Sequence, residues 1–357
     1  TDPHSHYKLG QPMVKHIHWR VEPDFENKTL SCYVVLVFDE TGMVDLDTNN
    51  LVIKRVTTLA GKFIPHTELP YDKNVLSAPL RIEITEDCFV NRNDEGVPRY
   101  EVMISYETSP EATGLHWLAP EQTLGGRKPF LYTQGQCIGA RSFLPCQDTP
   151  SIRCPVTIRV DVPENFLGVA CGVHTDRTDS LDGTVSLEFT QKVPIPSYLI
   201  ALAVGDMEGH ELSDRSTVFA EPELLDQAAE AFADVEKFIA AGEELFGPYV
   251  WGQFNIVVLP AAFPFGGMEN PGCAFVNAAV AAPDKSQLEV IIHELAHHWT
   301  GNLVINATWD EFWLNEGWTV WATYMMMRKL FGDEVASLQL AIMETDLIRD
   351  LEEFADQ

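Results

Sequence analysis

Apolar and polar residues alternate in short runs from residue 14 to residue 205. The runs include "VKHIHWRVEPDF", "LSCYVVLVFDE", "LVIKRVTTLAG", "LRIEITEDCF", "YEVMISYETS", "VTIRVDVP" and "VSLEFTQKV". A period of two marks half-buried strands, and the Gly, Pro, Asp and Asn between the runs mark turns. Many such strands with no helix between them predict an antiparallel sheet or sandwich domain. Residues 109–152 lose the rhythm and are rich in Gly, Pro and Gln. An irregular stretch of that length inside a compact domain is usually functional or covered by its neighbours.

The period changes after residue 205. "PELLDQAAEAFADVEKFIAAGEELFG", 222–247, has helical spacing and stops at Gly247 before Pro248. "QFNIVVLP", 253–260, reads as a strand. Ser286 with Glu289, and Thr308 with Glu311, have the spacing of capping boxes ahead of two further helices, "VIIHELAHHW" and "FWLNEGWTVWATYMMMRKLFG". The expected class is α+β in two domains: a β-sheet domain over 1–205, then a mixed domain over 206–357.

Composition narrows the function. Asp plus Glu number 53 against 24 Lys plus Arg, a net charge of −29, which argues against nucleic acid or an anionic membrane as partner. No apolar run is long enough to span a bilayer. The seven cysteines contain no CxxC pair and read as packed, reduced thiols. The opening "TDPHSHYKLGQP" has no signal-peptide core, so the expectation is a soluble, cytoplasmic protein without an obligate protein partner.

The chemistry concentrates in "VIIHELAHHWTGN", 290–302. On a helix, His293 and His297 are offset by about 40° and leave the same face, whereas His298 lies about 140° from His293 and reads as packing or as a support behind the ligands. Two imidazoles one turn apart suit a single zinc ion, and Glu294 between them is placed to act as general base. A catalytic zinc takes three protein ligands and keeps one position open. Glu316 in "WLNEG", on the next helix, is the candidate for the third. These parts point to metal-assisted amide hydrolysis.

Upstream, "FPFGGMENPGCAFVN" places Gly266 and Gly267 where backbone can approach a ligand. An extended peptide can add to such an edge, and Glu269 beside it can pair with a substrate's α-ammonium group. That pairing would measure one residue from the chain start to the scissile bond.

"GGMEN", "HELAH" and, eighteen residues after the second histidine, "NEG" resemble the gluzincin aminopeptidases with HExxH-x18-E. The wording "HHWTGNLVINATWDEFWLNEGWTV" and "TQGQCIGARSFLPCQDTPS" is similar to the branch that includes leukotriene A-4 hydrolase and aminopeptidase B. The resemblance implies a saddle-like N-terminal β-domain followed by the first part of a thermolysin-like zinc domain. It implies zinc ligands His293, His297 and Glu316, Glu294 as catalytic base, and Glu269 as anchor for a free N-terminus. Gly266, Gly267, Met268, Gln134 and Gln136 would bind the peptide substrate.

Two features depart from the family pattern. The family's oxyanion-stabilising tyrosine has no counterpart after Glu316, since Tyr324 is too close to match, and the acidic tail "ETDLIRDLEEFADQ" reads as an interrupted helix. The expectation is a chain truncated before the helical C-terminal domain. Phe265 stands where leukotriene hydrolases commonly carry Tyr. The leading expectation is a zinc aminopeptidase acting on short peptides; the alternatives are an added epoxide hydrolase activity, an endopeptidase, or a catalytically incomplete fragment that only binds.

Overall fold

A computed structural model describes residues 2–355. Its described residues form four sheets, and three of them belong to the strand-rich first part. The largest, with eight strands, orders its main path Val173–Asp179, Thr184–Pro196, Arg153–Pro163, His16–Asp24, Thr29–Phe38, Pro98–Glu107 and Val52–Thr57. All of its pairs are antiparallel except one. His16–Asp24 runs parallel to Arg153–Pro163, with Ile17 opposite Val156, which departs from the antiparallel expectation. The two strands are joined by more than a hundred residues, so no hairpin constrains their direction. Alternation sets the burial: Ile17, Trp19 and Val21 point inward, as do Val156, Ile158 and Val160. Each such buried side chain contributes roughly 1.5–3 kcal/mol.

Residues 109–152 hold two short strands, Leu115–Leu118 and Phe130–Thr133, inside a four-stranded sheet. The stretch that follows is pinned by a buried ion pair. Arg141 Nε lies 2.8 Å from Asp148 Oδ2, with both side chains 1% exposed. The same guanidinium donates to the carbonyls of His4, Val75 and Asp148. Asp47, fully buried close by, accepts from Ser5, His6 and Ser77. Such a network holds its backbone in one place because every member is needed to satisfy the others.

The second part is built on a five-stranded sheet ordered Glu208–Ser213, Ser216–Ala220, Ile256–Leu259, Ala274–Asn277, Gly267–Met268. Its three central strands are parallel, and the two outer pairs are antiparallel. Five helices accompany it: α1 (Pro222–Ala231), α2 (Val235–Phe246), α3 (Leu288–Ala296), α4 (Phe312–Phe331) and α5 (Asp333–Glu353). The single helix expected over 222–247 is thus two, broken at Phe232–Asp234. Phe232 closes α1 on Ala228, and Asp234 binds Lys237 in the first turn of α2. Gly247 stops α2 as expected, at φ +98°. Neither expected capping box forms. Ser286 is held by Asp284 instead, and α4 is preceded by a short 3-10 turn, Trp309–Glu311, in which Thr308 makes no side-chain cap.

Helix α3 buries Ile291, Ile292, Leu295 and Ala296 in one cluster with Val258, Val276, Phe238 and Ile239. That packing turns its histidine face toward α4. The buried stripe of α4 is polar at its start (Asn315, Thr319, Thr323) and apolar further on (Ala322, Met326, Met327).

Candidate metal centre

His293 is in the last turn of α3, and His297 follows as its C-cap with helical dihedrals, its N–H donating to His293 O at 3.1 Å. Both rings therefore leave the same face, with centroids 4.6 Å apart. Their Nε2 atoms stand 3.1 Å from each other, and Glu316 Oε2, one turn into α4, is 3.6 Å from each. Ligands at ~2.0–2.1 Å around a tetrahedral zinc are about 3.3 Å apart, so the three donor atoms are spaced for one ion. The chemistry of the set agrees, because two imidazole nitrogens and a carboxylate oxygen facing one point are the donor set of a zinc site. The residues present fit zinc.

Glu294, between the two histidines in sequence, is 5% exposed. Its carboxylate lies against Gly267 in the edge strand Gly267–Met268. Glu269, 3% exposed, comes within 4.8 Å of Glu294 and His297 in a second cluster of carboxylate and ring atoms. Gln136 Nε2 donates to Glu269 Oε1 at 3.2 Å, and Asn302 Nδ2 donates to the Glu269 carbonyl at 2.8 Å. Gln134 reaches Met268 Sδ at 3.3 Å, while its buried Oε1 has no protein partner. Gly266 closes the edge by accepting from Asn277 N at 2.9 Å. All ten residues singled out in the sequence thus gather around the same edge strand and helix pair.

Electrostatics give this cleft a need for positive charge. Among the described residues no Lys or Arg pairs with Glu269, Glu294 or Glu316. Burial raises the carboxyl of Glu294 well above its usual range, and Glu269 and Glu316 push the same way. Burial likewise raises Glu269, against the pull of His297. Burial opposes charging of His297, yet Glu269, Glu316 and Glu294 together raise it to about 9. Burial would raise Glu316 too, but hydrogen bonding from His293 and His297 brings it to about 2.

His298, expected to pack or to support the ligands from behind, is fully buried. Its Nδ1 lies 2.7 Å from Tyr249 Oη, its ring stacks on Tyr249, and burial lowers it to about 3. Sequence reasoning missed Asn302, Thr319, Thr323 and Tyr198. Tyr198, from the strand-rich part, donates to Gly301 O at 3.3 Å and accepts from Asn315 Nδ2 at 3.3 Å. Only the threonines left a signal: they follow Glu316 at i+3 and i+7, on its own helix face.

The chain resembles known proteins along nearly its whole length. The Peptidase M1 N-terminal domain matches residues 4–199, and the Peptidase family M1 domain matches residues 230–354. Leukotriene A-4 hydrolase of Xenopus laevis is 39% identical over 340 residues, which are 94% of this chain and 54% of that protein. Aminopeptidase B of Mus musculus is 47% identical over 244 residues, 68% of this chain and 37% of that protein. The solved structure of native yeast LTA4 hydrolase superposes with a TM-score of 0.88 at 32% identity, covering 99% of this chain and 54% of that one. The chain therefore spans about half the length of the relatives it matches, or less.

Proposed function

The chain belongs to peptidase family M1, and on that footing we propose that it provides the zinc centre of an aminopeptidase that removes the first residue from short peptides. The observation that carries this reading is the convergence of His293, His297 and Glu316 on one point, with Glu294 and Glu269 beside it. The lack of a Lys or Arg partner for Glu269, Glu294 and Glu316 among the described residues supports a cleft that takes a metal cation and an α-ammonium group.

His293, His297 and Glu316 would hold the ion. Bound there, zinc supplies a Lewis acid for the scissile carbonyl oxygen and makes a water more acidic. The remaining work falls to protein groups. Glu294 accepts the attacking water's proton and passes it to the leaving amine nitrogen. Its buried position suits a base that must be protonated and deprotonated within one turnover. Glu269, oriented by Gln136 and held at its carbonyl by Asn302, receives the substrate's α-ammonium group. The substrate backbone adds to the free edge of Gly267–Met268, whose other side is already paired to Ala274–Asn277. Gln134 offers its unpartnered Oε1 as an acceptor in the same cleft.

The test is hydrolysis of a panel of aminoacyl-arylamides by this 357-residue chain, with and without a zinc chelator and beside N-acetylated controls. The expected result is chelator-sensitive cleavage of the unblocked substrates alone. Cleavage of the blocked substrates would overturn the role given to Glu269.

A further inference from the structure

Each imidazole that faces Glu316 keeps a second ring nitrogen, and both of those nitrogens end on hydroxyls of α4. Thr319 Oγ1 is 3.0 Å from His297 Nδ1, and Thr323 Oγ1 is 3.3 Å from His293 Nδ1. Both threonines are fully buried, on the helix face that carries Glu316.

Counting protons fixes the direction of these bonds, since a hydroxyl has one to give. Thr323 gives its proton to Thr319 O at 2.7 Å, so a lone pair faces His293 and the ring nitrogen donates. Thr319 has carbonyls at 2.6 Å (Thr300) and 2.8 Å (Asn315) to take its proton. Thr300 O also lies 3.2 Å from His297 Nδ1 and can only accept. Both rings therefore carry hydrogen on Nδ1, which leaves Nε2 as the nitrogen whose lone pair a metal at the shared point would take.

We infer that Thr319 and Thr323 are positioning residues for the metal centre, neutral acceptors that set the tautomer and rotation of both histidines. The inference rests on the zinc reading above. A carboxylate partner would orient a ring and also raise its basicity. A hydroxyl orients without adding charge, so these two act by preorganisation. They are not equivalent. Among the described residues Thr323 is the one partner of His293 Nδ1, whereas His297 Nδ1 also has Thr300 O. Thr319, in turn, ties α4 to the Thr300 loop through both Thr300 O and Thr300 Oγ1.

The roles separate in one experiment on the 357-residue chain: zinc affinity by chelator competition, the visible spectrum of the cobalt(II) form, and thermal melts of the metal-free proteins. T323V should bind zinc about 10- to 100-fold more weakly than the parent and shift the cobalt bands. T323S should restore both. T319V should lose less affinity but more metal-free stability, reversing the order. Parent-like affinity and cobalt spectrum in T323V would overturn the inference, as would T323S binding as weakly as T323V. A parent chain that takes up neither metal would overturn the zinc reading itself, a distinguishable result.

Discussion

Gly267 lies so close to the carboxylate of Glu294 that no β-carbon fits between the edge strand and the base. A methyl group here would displace a buried acid that has no hydrogen-bonding partner for its carboxylate among the described residues. G267A should therefore lower kcat by roughly 10²-fold through misplacement of the base, with zinc affinity unchanged. E294Q should lose about 10²- to 10⁴-fold and likewise keep its metal. Steady-state kinetics with parallel metal analysis checks both.

Glu269 should act on binding more than on chemistry. A charge-assisted hydrogen bond contributes about 1.5–3 kcal/mol, so E269Q should raise KM for free-amine substrates by roughly 10- to 150-fold. The same variant should narrow the gap between free and N-acetylated substrates. Equal losses on both would mean that the side chain does not meet the amine.

Zinc should stabilise the fold as well as equip it, because its ligands come from two helices. At a free concentration ~100 times its Kd, a ligand of the native state adds about 2.7 kcal/mol. Chelation should lower the melting temperature, zinc should restore it, and magnesium should not. In E316A the chelator-dependent difference should shrink toward zero.

Arg141 is a stability prediction. Removing its guanidinium leaves Asp148 and Asp47 buried without their cation, which costs about 3–5 kcal/mol. Urea denaturation of R141M should show that loss, and R141M/D148N should recover part of it.

Acid should weaken the fold partly through His16, whose ring stacks on His18 at 4.1 Å. Burial, then the charges of His18 and Arg99, lowers His16 from 6.5 to about 4. The folded state thus favours the neutral ring. Its contribution is complete above pH 6.5 and is lost as pH falls through 4. H16Q should flatten the fall of melting temperature between pH 6.5 and 4 relative to the parent, and leave the curve above pH 7 with its original slope.

Much of this was readable because periodicity and burial agree. Strands such as His16–Asp24 alternate strictly, and the shared face of His293 and His297 follows from helix geometry, with Glu316 a candidate from the next helix. Other features depend on partners distant in sequence. The parallel pairing of His16–Asp24 with Arg153–Pro163 leaves no trace in either strand. The break at Phe232–Asp234 contains neither Gly nor Pro, and its helical spacing continues on both sides. Thr319 and Thr323 share the helix face of Glu316, but nothing in the sequence places the rings of α3 against them. Gln134 and Gln136 carried no signal of their own; the fold brings them to the cleft, and only the resemblance singled them out.

Tyr198, Gln134 and Gln136 all come from the strand-rich part, yet they touch the residues around Glu269 and Glu316. The cleft is therefore shared property of both halves of the sequence, and a recombination crossover near residue 206 would cut through it. A chimaera joined there inherits one wall from each parent. The first 205 residues thus furnish one wall of the proposed substrate cleft, and the metal-centre half cannot be moved to a new host as a self-sufficient cassette.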